Sequence, residues 1–327
     1  MIKVTVLVAV YNAAPYLRKC LDSLLNQSLS DIQIICIDDA STDDSVEIIQ
    51  LYMHQDKRIR LVRQTVNKGQ AKARNKGLAY ADGQYITMVD SDDWLSLDAL
   101  ERAYTQFQQN PYTDVVLFQL KKWTNGREED YPMQVKECVL EGKEAFELSL
   151  DWRIHGLYMV KACLQQQYQY DDSCRLYSDD NTTRIHYLHA REVRFCEGIY
   201  YYRQHESSTT QRFSILRFEH IKANWILKRQ LLSEQVDGKI IGRFERYRWN
   251  VFVGMYRLFQ ANRDQLSNEE REEVASLLQH FFYSMETYRI PCKIRIRTGC
   301  LFQSYVFFRF FQSVVRMFGF IFRRTLR

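Results

Sequence analysis

Short, mainly apolar segments alternate with helical patterns over the first third of the chain, and this alternation limits the fold more than any other feature. Strands without a polar face are buried on both sides, and strands separated by helices tend to pair in parallel. The sequence therefore predicts an α/β fold with a mostly parallel sheet and helices on both faces. The predicted strands are Val4–Val10, Ile32–Ile37, Ile59–Val62, Tyr85–Val89 and Val115–Phe118.

The remainder of the chain is predicted to be mainly helical. Residues 120–140 show no clear periodicity, residues 141–167 have a helical pattern, and residues 193–202 resemble one more strand. The pattern from residue 213 to about residue 288 is helical, with breaks near Asp237 and at Ser267, which begins a capping-box sequence. We divide the chain into an α/β domain at 1–212, a helical region at 213–291 and a tail at 292–327.

Positive charge is concentrated in that tail. The chain of 327 residues carries a net charge of +5, yet residues 293–327 contain eight Lys or Arg and no acidic residue. The first 292 residues hold 37 basic and 40 acidic residues and are slightly negative. A basic nucleic-acid binder would carry its charge on the folded domain, so this class is excluded.

The tail has the pattern of an amphipathic helix. Arg309, Arg316 and Arg323 recur every seven residues on one face of a helix that is otherwise aromatic and aliphatic. Such a helix can lie in the interface of an anionic membrane, or it can pack its apolar surface against the preceding helices. No uncharged apolar run is long enough to span a bilayer, and the N-terminal apolar stretch is a buried strand, not a signal peptide.

The eight cysteines contain no C-x-C or C-x-x-C pair, which argues against a metal–thiolate site. Scattered cysteines in a chain of this length are typical of small buried side chains in a reducing compartment. We therefore expect a cytoplasmic protein.

Polar side chains follow the predicted strands, where open α/β sheets bind their ligands. Tyr11 follows the first strand, Asp38-Asp39 the second and Asp90-Ser91-Asp92-Asp93 the fourth. Carboxylates in such a cluster suit Mn²⁺ or Mg²⁺, although an Asp-rich turn can also simply cap the next helix. Lys68 and Arg74, around a turn and a helix start, suit an anion, or else form a solvated face.

Four motifs together resemble the family 2 glycosyltransferases in order and spacing. They are Val-Ala-Val-Tyr-Asn at 8–12, Asp-Asp-Ala-Ser-Thr-Asp at 38–43, Asn-Lys-Gly-Gln-Ala-Lys-Ala-Arg-Asn at 67–75 and Asp-Ser-Asp-Asp at 90–93. The resemblance implies the GT-A fold, a Rossmann-like mixed sheet, and transfer of a sugar from a nucleotide diphosphate with inversion at the anomeric carbon. No dinucleotide or P-loop motif competes with it.

The resemblance also implies roles for the nucleotide-binding residues. Tyr11 would lie beside the base, and Asp39 would accept a hydrogen bond from its ring N–H, which favours uracil. Asn67, Lys68 and Arg74 would border the nucleotide, with Arg74 on the diphosphate because a guanidinium can make bidentate contacts.

The Asp-Ser-Asp-Asp motif would serve the sugar and the metal. By the same resemblance, Asp90 reaches the ribose or nearby donor groups, Asp92 ligates Mn²⁺ or Mg²⁺, and Asp93 contacts the donor sugar. The metal would act as a Lewis acid on the leaving diphosphate.

Inversion in one displacement needs a base on the face opposite the leaving group. Asp179-Asp180 resembles the family's acidic pair before a helix, and its second member, Asp180, is the predicted base, with Asp179 as the alternative; either residue could instead cap the helix. The run from Tyr202 to Ser208 resembles a following family motif, in which His205 would complete the metal shell or meet the diphosphate and Arg203 would assist. The alternative for His205 is a satisfied surface or core side chain.

The sequence thus predicts a metal-dependent inverting glycosyltransferase that uses a nucleotide-diphosphate sugar, with a UDP-sugar favoured. The acceptor would be a hydroxyl of a glycan or lipid-linked glycan in surface-polysaccharide synthesis, and the tail would hold the protein on the inner face of the cell membrane. The alternative is a catalytically inactive nucleotide-sugar-binding protein.

Overall fold

A ten-stranded mixed sheet forms the centre of the N-terminal unit in a computed structural model of the chain. The structure describes residues 1–133, 135, 137–205, 213–298 and 304–325, without the side chains of residues 178, 297, 298 and 316–325. It has two compact units, Met1–Arg212 and Phe213–Arg327. The strands are β1 (Val4–Val10), β2 (Ile32–Asp38), β3 (Ile59–Arg63), β4 (Tyr85–Met88), β5 (Trp94–Leu95), β6 (Thr113–Thr124), β7 (Arg127–Asp130), β8 (Val139–Glu141), β9 (Tyr158–Lys161) and β10 (Glu192–Arg203).

The strand order is β3-β2-β1-β4-β9-β6-β10-β5, with β7 beside β6 and β8 beside β10. Strands β1 to β4 pair in parallel, and so do β6 and β10. Because β9 is antiparallel to both β4 and β6, it joins the two parallel groups and keeps them pointing the same way. The carboxyl ends of β1, β2, β4, β6 and β10 therefore lie along one edge of the sheet.

Helices accompany the strands and bury the apolar side chains between them. Every residue of β2 is buried, and only one residue of β1 is partly exposed. Removing each such Val or Ile from water contributes about 1.5–3 kcal/mol. The predicted mixed α/β architecture is confirmed. The helices of this unit are α1 (Ala14–Leu25), α2 (Ser45–Gln55), α3 (Gln70–Leu78), α4 (Ala99–Gln109), α5 (Gly142–Ser149), α6 (Ala162–Gln167) and α7 (Ser178–His189).

Two segments differ from the sequence prediction. Residues 141–167 are not helical throughout, because β9 lies between α5 and α6, with Met159 and Val160 at most 1% exposed. A strand of four residues is too short to show its own periodicity. Residues 120–140 contain the end of β6 and a hairpin to β7, whose turn residues Asn125 and Gly126 both have positive φ, 49° and 86°.

The second unit is helical. Its main helices are α8 (Glu219–Ser233), α9 (Gly238–Asn262), α10 (Asn268–Tyr283), α11 (Cys292–Thr298) and α12 (Tyr305–Thr325). Asp237 caps α9 by accepting from the amide of Lys239, and Ser267 forms the predicted capping box with Glu270.

Aromatic side chains fill the core of this unit. Trp249, Phe252 and Phe281 are fully buried, and Phe308 from the first turn of α12 joins them. The start of α12 therefore packs on the preceding helices. On another face of the same helix, Val306 and Phe310 are exposed. Within the described part of the chain, no helix combines the length and apolar character that crossing a bilayer requires.

The cysteines follow the expectation only in part. The cysteines at 20, 36, 174 and 196 are buried, whereas those at 138, 163 and 292 are exposed. The expectation fails for the second group because these residues lie outside the apolar runs that form the core.

Candidate active site

Polar residues gather where the parallel strands end. The amide of Asp39, after β2, donates to the carbonyl oxygen of Val10 at the end of β1 at 2.8 Å. The side chain of Asn12 accepts from the amide of Thr42 at 2.8 Å, so the loops after β1 and β2 are joined. Tyr11 lies beside this junction with half of its surface exposed. At this edge of the sheet, the exposed ring of Tyr11 therefore lies next to two loops that are hydrogen-bonded to each other.

Asp39 holds the turn before α3. Its carboxylate is 3% exposed and accepts from the backbone amides of Lys68 and Gly69 at 2.8 and 2.7 Å, and from Gln64 Nε2 at 2.8 Å. Gly69 has φ of 91°, a conformation that a side chain would strain. A carboxylate has about four acceptor positions. Three are engaged here, and one is left for a ligand N–H.

The nucleotide residues around this turn differ in exposure. The side chain of Lys68 is exposed, and that of Asn67 is partly buried. Arg74, in contrast, is 1% exposed, and its Nη2 lies 2.6 Å from Asp90 Oδ1. A contact between Arg74 and a diphosphate would require this buried side chain to become accessible. The geometry instead favours Arg74 as a positioning residue for Asp90.

Asp90 has two partners on α3. Besides Arg74, Gln70 Nε2 donates to the same carboxylate oxygen at 2.7 Å. Burial raises the pKa of Asp90, Arg74 opposes the rise, and the charges of Asp92 and Asp179 add to it. The carboxylate of Asp179 therefore lies within electrostatic range of the turn after β4.

Asp92 and His205 are the pair suited to a metal ion. His205 Nε2 lies 2.9 Å from Asp92 Oδ2, and the imidazole stacks on Tyr16 with 4.6 Å between ring centroids. In the described ranges there is no group of three or more His, Cys, Asp or Glu side chains able to hold a metal. Mg²⁺ commonly uses one or two protein carboxylates and takes its other ligands from substrate phosphates and water. One carboxylate and one imidazole fit such an ion when a diphosphate completes its shell.

Asp93 faces away from solvent. Its side chain is 1% exposed, Tyr200 Oη donates to its Oδ2 at 2.9 Å, and the amide of Arg203 donates to its Oδ1 at 2.7 Å. Burial and the charges of Asp90 and Asp92 raise the pKa of Asp93 well above its usual range. The expected contact between Asp93 and the donor sugar does not agree with this placement. Asp93 instead ties the turn after β4 to β10.

Arg203 lies in an aromatic frame at the end of β10. Its guanidinium carbon is 4.8 Å from the ring centroids of both Trp94 and Trp123, and its Nε donates to the backbone carbonyl of Asp92 at 2.8 Å. Cation–π contacts and this hydrogen bond fix the Arg203 side chain beside Asp92 and His205. Ser207 and Ser208, the end of the predicted motif, lie outside the described residues.

Asp179 and Asp180 lie in the first turn of α7. Asp180 is partly buried and lies 3.8 Å from Arg184 Nη2. Burial raises its pKa to about 7, the charge of Arg184 opposes the rise, and the charge of Asp179 adds to it. Within the described residues, Asp180 makes no capping hydrogen bond, whereas Asp179 accepts from the amide of Asp180 at 3.1 Å. Asp180 is thus a carboxylate poised to exchange a proton near neutral pH.

Three structural residues of the site were not singled out from the sequence. Gln70 and Tyr200 bind the carboxylates of the turn after β4, and Trp123 frames Arg203. Tyr200 belongs to an aromatic strand pattern that gives no sign of a hydrogen bond. Gln70 lies inside a recognised motif, which was the one available signal.

A family model described as Glycosyl transferase family 2 matches residues 5–156. The chain is 33% identical over 218 residues to the uncharacterized glycosyltransferase EpsJ of Bacillus subtilis (strain 168), a match that covers 64% of this chain and 63% of EpsJ. It is 32% identical over 218 residues to glycosyltransferase GlyG of Streptococcus pneumoniae, covering 63% of this chain and 72% of GlyG. The chain thus spans less than two thirds of the length of EpsJ and more than two thirds of the length of GlyG.

Solved structures of S. aureus TarS, residues 1–349, have a similar fold. The structure of that protein alone superposes with a TM-score of 0.69 at 19% identity, over 88% of this chain and 82% of the other. The complex of TarS with UDP-GlcNAc gives 0.72 over the same shares. At this identity the likeness concerns the fold. The family model and the relatives at 32–33% identity show that the chain belongs to glycosyl transferase family 2.

Proposed function

We propose that this chain is a metal-dependent inverting glycosyltransferase that moves a sugar from a UDP-sugar to a hydroxyl of a glycan or lipid-linked glycan in surface-polysaccharide synthesis. The observation that carries the proposal is the carboxylate of Asp180. Its pKa is raised to about 7, and its neighbour Asp179 acts electrostatically on the strand-end turn at Asp90. A base poised near the working pH is what a single displacement needs.

In the proposed reaction, Asp180 takes the proton from the acceptor hydroxyl. The oxygen forms a bond to the anomeric carbon while the bond between that carbon and the diphosphate oxygen breaks, so the configuration inverts. The electron pair leaves with UDP. A carboxylate with a pKa near 7 is a stronger base than an ordinary aspartate and is still largely deprotonated above pH 7.

Asp92 and His205 would hold Mn²⁺ or Mg²⁺, which when bound supplies positive charge for the leaving diphosphate. Arg203 lies beside this pair, where its guanidinium adds a second positive charge. The exposed amine of Lys68 gives a third cation on the side of the nucleotide turn. These residues are what the chain itself offers to a diphosphate.

A uridine nucleotide agrees with the remaining geometry. The ring of Tyr11 is half exposed, which leaves a face for stacking on a base. Asp39 keeps one acceptor position beside the backbone amides that it binds. TarS, which shares the fold, has been crystallised with UDP and with UDP-GlcNAc.

The tail would place the enzyme on the inner face of the cell membrane. Residues 293–327 contain eight basic residues and no acidic residue. Val306 and Phe310 on α12 are 74% and 65% exposed. Exposed apolar side chains together with cationic charge favour the interface of an anionic bilayer.

The proposal is tested by donor turnover. The full chain is incubated with UDP-, GDP- and dTDP-sugars, with and without Mn²⁺, and hydrolysis and binding are measured. We expect a UDP-sugar to be hydrolysed slowly and only with the metal. Binding without any turnover, even with acceptor extracts, would favour the inactive nucleotide-sugar-binding protein. No response to any nucleotide sugar would overturn the proposal.

A further inference from the structure

A cleft opens in the helical unit between α9, α10 and the start of α12, with a volume of about 180 Å³. Tyr256 lines it from α9, Arg271 from α10 and Arg309 from α12. All of its lining residues belong to the unit Phe213–Arg327. The cleft is therefore formed by this unit alone.

Positive charge dominates this cleft. Its charged lining residues are Arg263, Arg271, Arg309 and Glu272. Across the described ranges, none of these three arginines forms an ion pair. The buried Arg248 of the same unit, in contrast, pairs with a glutamate at 2.7 Å. The cleft thus has three positive charges against one negative charge, and this excess attracts an anion.

The donors are partly fixed in place. Arg271 Nε donates to the carbonyl oxygen of Arg263 at 2.8 Å, which orients the guanidinium and leaves its two terminal nitrogens for a ligand. The guanidinium carbon of Arg309 lies 5.9 Å from the ring centroid of Tyr305. Arginine donors in a fixed fork match the oxygens of a phosphate group.

The wall of the cleft is aromatic. Tyr256, Phe259 and Tyr305 are between 5% and 6% exposed, so each presents only a small surface to the cleft. Burial raises the pKa of Tyr305 to about 12, and the phenol stays protonated at neutral pH. An apolar wall next to cationic donors favours a phosphate that carries a carbon group over a bare inorganic anion.

Exposed apolar side chains lie next to the cleft on α12. Val306 and Phe310 flank Arg309 in sequence and are 74% and 65% exposed. Cationic donors beside exposed apolar side chains are typical of surfaces that meet lipid headgroups.

We propose that this cleft binds the phosphate of a phosphate ester, and that the ester is the headgroup of an anionic lipid. The site adds a specific headgroup contact to the membrane association proposed above and rests on it in that respect. It does not depend on glycosyl transfer.

The test uses the full chain and two probes. Binding of sn-glycerol 3-phosphate is measured by calorimetry, and binding to phosphatidylglycerol–phosphatidylcholine vesicles by sedimentation, with pure phosphatidylcholine vesicles as the blank. The cleft variant combines Arg263→Gln, Arg271→Gln and Arg309→Gln. The control combines Lys222→Gln, Arg229→Gln and Arg246→Gln, which removes three exposed charges from α8 and α9 of the same unit.

We expect the cleft variant to bind both probes about tenfold more weakly, and the control to stay within about twofold, because each lost charged hydrogen bond has a sizeable effect. Equal binding by the two variants would overturn the site. Loss of glycerol phosphate binding with unchanged vesicle binding would support a phosphate-ester site and overturn the lipid as its source. If the cleft variant does not fold, Arg309→Gln alone, at an exposed position, gives the same comparison with a smaller expected loss.

A third variant separates this proposal from the tail. Arg316→Gln, Arg323→Gln and Arg324→Gln remove three other charges of the tail and leave Arg263, Arg271 and Arg309 unchanged. If these changes weaken vesicle binding and leave glycerol phosphate binding intact, the tail and the cleft act independently and the cleft proposal is supported. If they abolish glycerol phosphate binding as well, the phosphate is bound by the tail and the cleft proposal fails.

Discussion

The hydroxyl of Tyr200 donates a 2.9 Å hydrogen bond to the buried carboxylate of Asp93. The same hydroxyl accepts from the backbone amide of Asp90 at 3.1 Å. One oxygen atom thus joins β10 to both ends of the turn that carries Asp92. The position of Asp92, one of the two proposed metal ligands, depends on these two hydrogen bonds of Tyr200.

Tyr200→Phe removes the oxygen and keeps the ring. We expect it to lower the free energy of unfolding by about 1–3 kcal/mol, because a buried acceptor and a buried amide lose their partner. We also expect Mn²⁺-dependent UDP affinity to fall by about tenfold. Urea unfolding and calorimetry measure the two effects. The control is Tyr201→Phe, since Tyr201 uses its ring to stack on Trp94. Equal losses in the two variants would contradict the role of Tyr200.

Gly69, in the turn before α3, can be compared with Gly126, in the hairpin turn between β6 and β7. Gly69 and Gly126 have φ of 91° and 86°, and an added Cβ would meet no atom closer than 3.8 Å at either position. Alanine at either position should lower the free energy of unfolding by about 1–3 kcal/mol through backbone strain, and at Gly69 φ of 91° with ψ of 161° is a conformation that essentially only glycine adopts. Only Gly69→Ala should weaken UDP binding, because Asp39 binds the amide of Gly69. Unchanged UDP affinity in Gly69→Ala would separate this turn from the nucleotide site.

Metal dependence should follow Asp92 and His205. His205→Ala and Asp92→Asn remove one of the two facing ligands, and we expect each to weaken Mn²⁺-dependent UDP binding by about tenfold or more. Binding without Mn²⁺ should change little. His54→Ala, at an exposed position of α2, is the control. The comparison is made by measuring UDP binding by calorimetry at increasing manganese concentrations. Wild-type metal response in His205→Ala would assign His205 to packing on Tyr16.

The raised pKa of Asp180 has a consequence for stability. A carboxyl whose pKa is about 7 when folded and 3.8 when unfolded binds its proton more tightly in the folded state. The ionised group therefore destabilises the fold increasingly as pH rises from about 4 to about 7, and by a constant amount above that. Asp180→Asn should have wild-type stability near pH 4 and exceed it by about 1–4 kcal/mol at pH 8. Unfolding curves at several pH values, with Asp172→Asn at an exposed position as the control, test this; a gap that does not grow with pH would contradict it.

Much of the fold was predictable because its dominant signals are local. Each of the strands Val4–Val10 and Ile32–Asp38 is an apolar run with a polar residue just after it, and parallel pairing brings those polar residues to one edge. The strand Tyr158–Lys161 was missed because its place in the sheet depends on two distant strands. Local periodicity over four residues cannot report such pairing.

The residues of the site were predictable from the sequence, but the directions in which their side chains point were less so. The motif at 90–93 identifies three carboxylates, yet Asp93 points into the protein and Asp92 faces His205. Arg74 is buried against Asp90 for the same kind of reason. Side-chain direction in a turn is decided by partners such as Tyr200, which lies more than a hundred residues away in the chain.

The assignment of Asp180 as the base is tested most directly by the transfer rate of Asp180→Asn. The rate from the UDP-sugar identified in the donor screen is compared with the rates of the wild type and of Asp179→Asn, and UDP affinity is measured for all three. We predict a loss of about 10²–10⁴-fold in kcat for Asp180→Asn, with UDP affinity unchanged, because general-base catalysis contributes that much. The wild-type rate should rise with pH, reach half of its maximum near pH 7 and level off above that. A rate for Asp180→Asn within tenfold of the wild type, or a larger loss in Asp179→Asn, would contradict the assignment.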